Sequence, residues 1–356
     1  MGTSWVISAI GLLMASCLGA ASLNPSYEVV DVGALPWVSD DVAPRLSASG
    51  EISWWQATPD RIIHASAWAS ASPRNIGTLE GFASSIASGA NGKGQFVGWS
   101  VSGRNLVDSR ATTHAFLFTE SQMVDLGTLG GRDSKAVGIN EAGQVVGSAS
   151  LPDQSRHAFI YQAGKLVDLG TLPGGAFSAA YAINNHGLVV GAAETFTHLV
   201  HAVIWRDNRV ADLGTLPGGM RSRALALNDR GDVVGYSEAE GAETHAFLYS
   251  NHRMQDLGSL GFDPVRANAI NNRDQIVGAS GVTQFARHAF IWENGTMQDL
   301  NKLVSPGEPW RLEEAYDITD RGQILCLGIR SGANRDRHLI LLNPVFTPPS
   351  GTYNLQ

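Results

Sequence analysis

Cysteine is almost absent from the sequence, which has only Cys17 and Cys326 among its 356 residues. Cys17 lies in an N-terminal apolar segment, so Cys326 is the single cysteine of the part that is expected to fold. A disulfide bond within that part is therefore excluded. Because Cys326 lies in a strand-like run, we interpret it as a small buried apolar residue.

Positive charge is also scarce. The chain has 25 lysines and arginines against 33 aspartates and glutamates, which gives a net charge of −8. Nucleic-acid binding needs a basic footprint, so we expect no nucleic-acid partner. No run of like charges points to a membrane surface. A charged fraction of 16%, a hydrophobic fraction of 44% and 40 glycines are typical of a compact, turn-rich β domain.

Motifs of the common enzyme classes are missing as well. The sequence contains no nucleophile elbow, no phosphate-binding glycine loop and no zinc spacing. We therefore assign no catalytic residue, no metal ligand and no cofactor from the sequence.

The one long apolar run is at the N-terminus, MGTSWVISAIGLLMASCLGAA, and it carries no charge. Residues 1–21 resemble a secretory signal peptide, and the small residues Gly19 and Ala21 suit cleavage before Ser22. The apolar stretch is too short to span a bilayer comfortably, so we expect no transmembrane segment in the mature chain.

A lipoprotein signal is the alternative for this segment, because LMASC resembles a processing site with Cys17 as the acylated residue. Either processing leaves the rest of the chain outside the cytoplasm, secreted or at the cell surface. We divide the chain into a signal peptide at 1–21, a folded domain at 22–344 and a C-terminal tail at 345–356.

The sequence is rich in internal repeats. The period of such repeats indicates the architecture, so we consider it before the roles of single residues. A phrase such as HAVIWRDNRVADLGTLPGG recurs together with an Asn-x-x-Gly-Gln-Val-Val-Gly phrase, from about residue 27 to residue 344. Successive copies of its first histidine are 43 to 50 residues apart. The repeated histidines are His64, His114, His157, His201, His245, His288 and His338.

Each copy holds four short strand-like runs, for example YAIN, LVVGA, HAVIW and VADLG within residues 181–214. The gaps within the two pairs of runs have hairpin length. Four antiparallel strands every 43 to 44 residues match the blade of a β-propeller. The sequence thus predicts an all-β fold, a seven-bladed β-propeller of four-stranded blades.

The two ends of the repeat complement each other. The chain opens on a lone outer strand, YEVVDVG, whereas the last copy has only the three strands AYDIT, QILCLG and HLILL. We therefore predict that the N-terminal strand completes the last blade, which closes the ring and removes exposed strand edges.

We interpret the repeated histidines as structural. Ligands of one metal ion must converge to roughly 2 Å from it, but the third strand of a blade lies about 10 Å from the innermost one at ~4.8 Å per strand. Histidines of different blades cannot meet at that radius. Within one blade, the histidine, the outer-strand aspartate and a loop serine or threonine share one end of the sheet, where we expect hydrogen bonds between them.

The same phrases carry a family resemblance. His-Ala-Phe followed by Asp-Leu-Gly-Thr-Leu-Gly-Gly, together with Asn-x-x-Gly-Gln-Val-Val-Gly, resembles the extracellular HAF-repeat family over nearly the whole mature chain. Ala67 in the first copy and HLILL in the last depart from the pattern. The resemblance implies a secreted or surface-associated bacterial repeat protein. The family has no settled biochemical role, so no catalytic residue is carried over.

Functional residues are expected at positions where single copies depart from the common repeat pattern, because the shared pattern serves the fold. Residues 101–113 and 301–314 are longer than the same segments of other copies, and both are predicted to be loops on one face of the ring. Long loops on a rigid scaffold often bind ligands, although tolerated insertions explain the lengths equally well. The candidate ligand-binding residues of these loops are Arg104, Asp108, Arg110, Glu308, Trp310, Arg311, Glu313 and Glu314.

Tryptophans outside the repeat pattern are a second anomaly. Trp55 and Trp99 occupy one equivalent position in neighbouring blades, at the end of the second strand, and Trp310 lies in the second long segment. Flat apolar rings beside polar groups suit stacking on a sugar or an aromatic ligand. Packing between blades is the alternative interpretation.

Two charged residues in the innermost strands depart from a pattern of small residues. The residue two before the repeated asparagine is glycine or alanine in five blades, but it is Arg45 in the first blade and Asp317 in the seventh. Ring closure makes these blades neighbours, so we predict an ion pair that fixes the closure seam. A ligand contact in the channel is the alternative.

Three functions fit the sequence. The first is a secreted or surface propeller that binds a glycan, a peptide or a cell-surface partner, and the second is a purely structural or adhesive surface protein. The third, a glycan-cleaving hydrolase or lyase, needs two carboxylates ~5 to 10 Å apart in a cleft. Its candidates are Glu308, Glu313, Glu314 and Asp317. We expect binding rather than catalysis, and a monomer.

Overall fold

The structure, a computed structural model, describes residues 26–36, 42–60, 62–69, 72–104, 106, 110–207, 209–281, 287–330 and 336–345. In these ranges, 28 strands form seven antiparallel sheets of four strands each. The predicted seven-bladed β-propeller is therefore confirmed. No helix in these ranges has both the length and the apolar character needed to cross a membrane.

Blades 1 to 3 follow one another along the chain. Their strands are β2 Arg45–Leu46, β3 Ile52–Ala57, β4 Ile63–Ala69, β5 Ser72–Gly77, β6 Ser84–Ala90, β7 Phe96–Val101, β8 Thr113–Thr119, β9 Gln122–Gly127, β10 Ser134–Ile139, β11 Val145–Ser150, β12 Arg156–Gln162 and β13 Lys165–Gly170.

Blades 4 to 7 repeat the order, except that β1 joins blade 7. Their strands are β14 Ser178–Ile183, β15 Val189–Glu194, β16 Val200–Arg206, β17 Arg209–Gly214, β18 Ser222–Leu227, β19 Val233–Glu238, β20 Thr244–Ser250, β21 Arg253–Asp256, β22 Val265–Ile270, β23 Ile276–Ser280, β24 His288–Glu293, β25 Thr296–Asp299, β26 Trp310–Ile318, β27 Ile324–Arg330, β28 Arg337–Val345 and β1 Ser26–Ala34.

Blade 7 is closed by the N-terminal strand, as predicted. β1 pairs antiparallel with β28 in a register that runs from Ser26 opposite Val345 to Ala34 opposite His338. Tyr27 is 2% exposed, and its backbone N–H also donates to the Leu303 carbonyl at 3.1 Å. The strand therefore covers the β28 edge and packs into the blade core, where Cys326 is fully buried as well.

The first strands of neighbouring blades contact each other around the ring and so form its inner wall. Each runs from the connection between blades to a tight turn at the opposite end of the channel. We call the end that carries the connections between blades, together with the turns between second and third strands, the mouth face. The two longer segments singled out from the sequence begin at this face.

A belt of asparagine side chains joins blades at the other end of the channel. The buried Asn184 amide donates to the Asn228 carbonyl of the next blade at 3.0 Å, and its own Oδ1 accepts from the backbone N–H of His186 and Leu188. Equivalent links connect blades 2 to 7 in turn, and their donors are Asn91, Asn140, Asn184, Asn228 and Asn271. The Asn-x-x-Gly-Gln phrase therefore encodes a turn and a bond between blades together.

A bulge in the inner strands explains the second glycine of that phrase. Ala180 pairs with Gly191 and Ala182 with Val190, which leaves Tyr181 without a partner in the ladder. A side chain on Gly191 would bring its Cβ to 2.0 Å from the Ala179 carbonyl oxygen, so glycine permits this close approach in blade 4, whereas Cys326 has the equivalent position in blade 7. The same bulge recurs in blades 2 to 7, with the extra residues Ser88, Val137, Tyr181, Leu225, Asn268 and Tyr316.

Each repeated histidine bonds an outer strand. The Nδ1 of His201 lies 2.8 Å from Asp212 Oδ2, and Asp212 Oδ1 accepts from the Gly214 N–H at 2.8 Å. In blade 1, Asn75 replaces the aspartate, and in blade 7 the partner is Asp31 of β1. The serine that we placed in the loop is the first residue of the next inner strand. Ser222 accepts from Ala202 N–H and donates to the Gly214 carbonyl.

We expect His201→Ala to lower the free energy of unfolding by about 1 to 3 kcal/mol, because it leaves the Asp212 carboxylate without its side-chain partner. Chemical denaturation measures the change. His198→Ala is the matched control, because the His198 side chain is 78% exposed and its carboxylate partner, Glu194, lies at the end of β15 rather than on an outer strand. Equal losses for the two variants would contradict a structural role of the repeated histidine.

Candidate functional site

The channel widens at the mouth face into a cavity of about 410 Å³, which we call the central cavity. All seven inner strands or the segments just before them line it. The bulge residues Ser88, Val137, Tyr181, Leu225, Asn268 and Tyr316 all belong to this lining. The inner-strand bulge therefore has a consequence for the site, since in blades 2 to 7 it directs one extra residue per blade into the cavity.

The lining of the central cavity is strongly cationic. Among the described residues, the lining contains five lysines and arginines but one carboxylate, although the whole chain has a net charge of −8. The carboxylate is that of Glu314, which is paired with Arg287 at 3.0 Å and accepts from the Asn268 amide at 3.0 Å. The cations are Arg45, Lys135, Arg156, Arg223 and Arg266.

Neighbouring side chains hold several of these cations in place. Lys135 Nζ lies 5.0 Å from the centre of the Trp99 ring, and Arg266 Cζ lies 4.9 Å from the centre of the Tyr236 ring. These distances are in the range of cation–π interactions. Arg223 Nη1 donates to the Tyr181 hydroxyl at 2.7 Å. The positive groups are therefore positioned before any ligand arrives, which lowers the entropic cost of binding.

The three tryptophans predicted as a binding group are not brought together. Trp99 lines the central cavity, at 5% exposure, with Lys135 over its ring. Trp55 is 2% exposed in the core between blades, where its indole N–H donates to the Pro36 carbonyl at 2.9 Å. Trp310 packs against the His338 ring, with centroids 4.7 Å apart, and does not line the cavity.

The last five residues of the second long segment, 310–314, are strand rather than loop, which corrects that part of the sequence interpretation. Residues from Trp310 onward form the first part of β26, the innermost strand of blade 7. Glu314 thereby reaches the cavity, while Glu313 is 4% exposed and pairs with Arg311. Glu308 stays in the turn that precedes the strand.

In the first long segment, Arg104 pairs with Asp60 of the adjacent turn at 2.8 Å, and both side chains are more than half exposed. The backbone carbonyl of Arg110 accepts from Arg132. Asp108 lies outside the described residues. Neither Arg104 nor Arg110 lines the central cavity.

The closure seam differs from the predicted direct ion pair. Arg45 donates to the Tyr316 carbonyl at 3.2 Å, and Asp317 accepts from the Leu46 N–H at 2.9 Å and from its neighbour Ile318. Burial raises the pKa of the Asp317 carboxyl, and the nearby charge of Arg45 opposes this increase. Both side chains thus join blades 1 and 7, but through backbone groups, and Arg45 also lines the cavity.

Comparisons with known proteins support the fold alone. No family model matches the chain, and no curated protein matches it. The β-propeller domain of the Trilobed protease from Pyrococcus furiosus is 10% identical over 89% of this chain and 95% of that one, with a TM-score of 0.55. Pyrococcus horikoshii acylaminoacyl peptidase is 10% identical with a TM-score of 0.51, and the match covers 84% of this chain but 50% of that one.

Proposed function

We propose that the protein is a binding module whose central cavity takes a small anionic ligand or the anionic end of a longer chain. The observation that carries this proposal is the concentration of five cationic side chains in one cavity of an acidic protein. The volume of about 410 Å³ falls in the range of small-ligand sites. Guanidinium groups bind planar carboxylates in a bidentate geometry, as they also bind phosphates.

The electrostatic contrast also favours an anion. A concave site lined by one sign of charge concentrates the field and attracts ligands of the opposite sign, even when the rest of the surface repels them. Glu314 weakens this field little, because Arg287 is bound to it. An acidic sugar such as a uronic acid and the end of an acidic peptide share the chemistry that this cavity selects.

Glycan cleavage finds less support in the geometry. Hydrolysis of a glycosidic bond by the common mechanisms needs two carboxyl groups on either side of it. Among the described lining residues, Glu314 is the single carboxylate, and it is engaged by Arg287 and Asn268. Glu313 and Asp317 are held by Arg311 and by backbone N–H groups, respectively. Binding is the function that these contacts favour.

We expect Arg223→Ala and Arg266→Ala each to weaken binding of an acidic ligand about 10-fold or more, because each removes a charged hydrogen-bond donor. Titration calorimetry with a galacturonic acid disaccharide, its neutral galactose counterpart and a short polyglutamate peptide measures this effect. Arg104→Ala is the matched control, since it removes the same charge from the same face outside the cavity.

Three results separate the alternatives. Binding of the uronate but not of its neutral counterpart, lost in the cavity variants, supports an acidic-glycan site, and the same pattern with the peptide supports an acidic-peptide site. If Arg104→Ala lowers the affinity for the acidic ligand equally, the effect comes from the net charge of the protein, and the cavity site is contradicted. Absence of binding to every acidic probe would favour a scaffold or adhesive role.

We also infer that the protein acts outside the cytoplasm as a member of the HAF-repeat family. The repeated phrases and the apolar segment at residues 1–21 support this inference. Residues 1–25 lie outside the described part of the chain, so secretion is tested by expression of the full sequence and N-terminal sequencing of the exported product. Cleavage before Ser22 supports a signal peptide, and a lipid-modified Cys17 supports a lipoprotein.

A further inference from the structure

A second site, distinct from the central cavity, lies where blades 5 and 6 meet at the mouth face. Glu243, His245 and Asp263 each present one potential metal ligand there, and these ligand atoms all lie within 4.8 Å of one another. They come from three segments: the turn before β20, the start of β20 and the connection that leads to β22. No sequence spacing reveals such a set, because the fold alone brings its parts together.

His245 has the orientation that a metal ligand requires. Its Nδ1 lies 2.6 Å from Asp256 Oδ2, so the repeated histidine–aspartate bond occupies this nitrogen. The other nitrogen, Nε2, faces Glu243 Oε2 at 3.7 Å. A carboxylate that binds one imidazole nitrogen fixes the ring and its tautomer, and it makes the other nitrogen a better ligand.

Asp263 supplies an independent sign that a cation belongs here. Its Oδ1 is shielded from solvent and has no hydrogen-bond partner among the residues that the structure describes. A buried carboxylate oxygen without a partner is costly, and buried charges are usually paired or bound to metals. A cation beside Oδ1 would satisfy it.

The two extra carboxylates make this copy of the repeat different from the others. At the position of Glu243, two residues before the repeated histidine, blade 4 has Leu199 and blade 6 has Ala286. Blade 5 therefore places two carboxylates beside the imidazole of its repeated histidine, so the ligand atoms of three side chains lie within 4.8 Å of one another.

We propose that Glu243, His245 and Asp263 form a binding site for a divalent transition metal such as Zn²⁺. One imidazole nitrogen and two carboxylates are a ligand set that Zn²⁺ accepts, with a fourth position left for water or another group. Ligand atoms around a tetrahedral Zn²⁺ lie roughly 3.4 Å apart. The three ligand atoms lie within 4.8 Å of one another, so they need to approach by at most about 1.4 Å to reach that spacing, and the exposed Glu243 side chain has room to move.

The test is calorimetric titration of the chelator-treated full chain with Zn²⁺. We expect one equivalent of bound metal, and we expect Glu243→Gln and Asp263→Asn each to lower the affinity at least about 10-fold. Glu240→Gln is the matched control, because it removes the same charge from the same turn without touching the ligand set. Thermal melting of each variant shows that it remains folded.

The histidine–aspartate link needs a separate control, since it is also structural. Asp256→Asn is expected to weaken Zn²⁺ binding about 10-fold or more by loosening His245. Asp212→Asn breaks the equivalent link of blade 4 and is expected to cost stability without changing Zn²⁺ affinity. Affinity that is unchanged in both Glu243→Gln and Asp263→Asn, or lowered equally by Glu240→Gln, would overturn the proposal.

Discussion

Removal of residues 26–34 is expected to lower the melting temperature of the propeller by about 10 °C or more. The deletion exposes the β28 edge, the cavity left by Tyr27 and the apolar faces of three partly buried valines. Loss of this burial costs about 7 kcal/mol or more, and at an unfolding entropy of about 2.1 cal/mol/K per residue each kcal/mol shifts the midpoint of a domain of this size by about 1.5 °C. Differential scanning calorimetry measures the shift.

Addition of the missing strand as a separate peptide provides the control. A peptide of sequence SYEVVDVGA is expected to restore part of the lost stability in a concentration-dependent manner, since it binds the folded state alone. A scrambled peptide of the same composition is expected to have no effect. An unchanged melting temperature after the deletion would contradict the contribution of β1 to ring closure.

The second large effect is expected from Gly191→Ala, a change of one methyl group. The new Cβ would lie 2.0 Å from the Ala179 carbonyl oxygen and 2.9 Å from the Ala180 Cα, and both belong to a neighbouring backbone that cannot yield cheaply. We expect a loss of about 3 kcal/mol or more in the free energy of unfolding, because overpacking forces the strands apart. Urea denaturation measures it.

Gly164→Ala separates this effect from ordinary backbone strain. Gly164 has a φ of 76° in a hairpin turn, and nothing lies within 4 Å of an added Cβ. We expect a cost of about 1 kcal/mol from the left-handed conformation alone. Equal losses in the free energy of unfolding for the two variants would contradict the idea that Gly191 is needed for the close approach of the strands.

The architecture could be predicted from the sequence because each strong signal has one local physical cause. The phrase around Asn184 encodes a turn, Gly191 permits a bulge, and His201 bonds the outer strand, so every copy of the repeat specifies a complete blade. The phase of the copies then predicts closure by β1. Repetition makes these signals visible, because a single copy would resemble any short antiparallel sheet.

Arg45, Trp99 and Glu314 of the central cavity were among the candidates from the sequence, but its other residues were missed because most of them lie at positions where the copies disagree. Most of these missed residues are three or five residues before the repeated asparagine, as with Tyr181 and Ala179 in blade 4. The bulge turns both positions toward the channel, and strict strand alternation does not predict it. Lys135, Arg223 and Arg266 share the second of these positions, so the recurrence of cations there is a sequence signal for the cavity that lies outside the long segments.

The closure of blade 7 also decides which way the protein presents its cavity. β1 begins and β28 ends side by side, where Ser26 pairs with Val345, at the face opposite the mouth. Both ends of the described chain therefore leave the ring on the same side. A tether, a further domain or a solid support attached at either end would therefore hold the propeller by the face opposite the mouth. The cationic cavity would then open toward the surrounding medium.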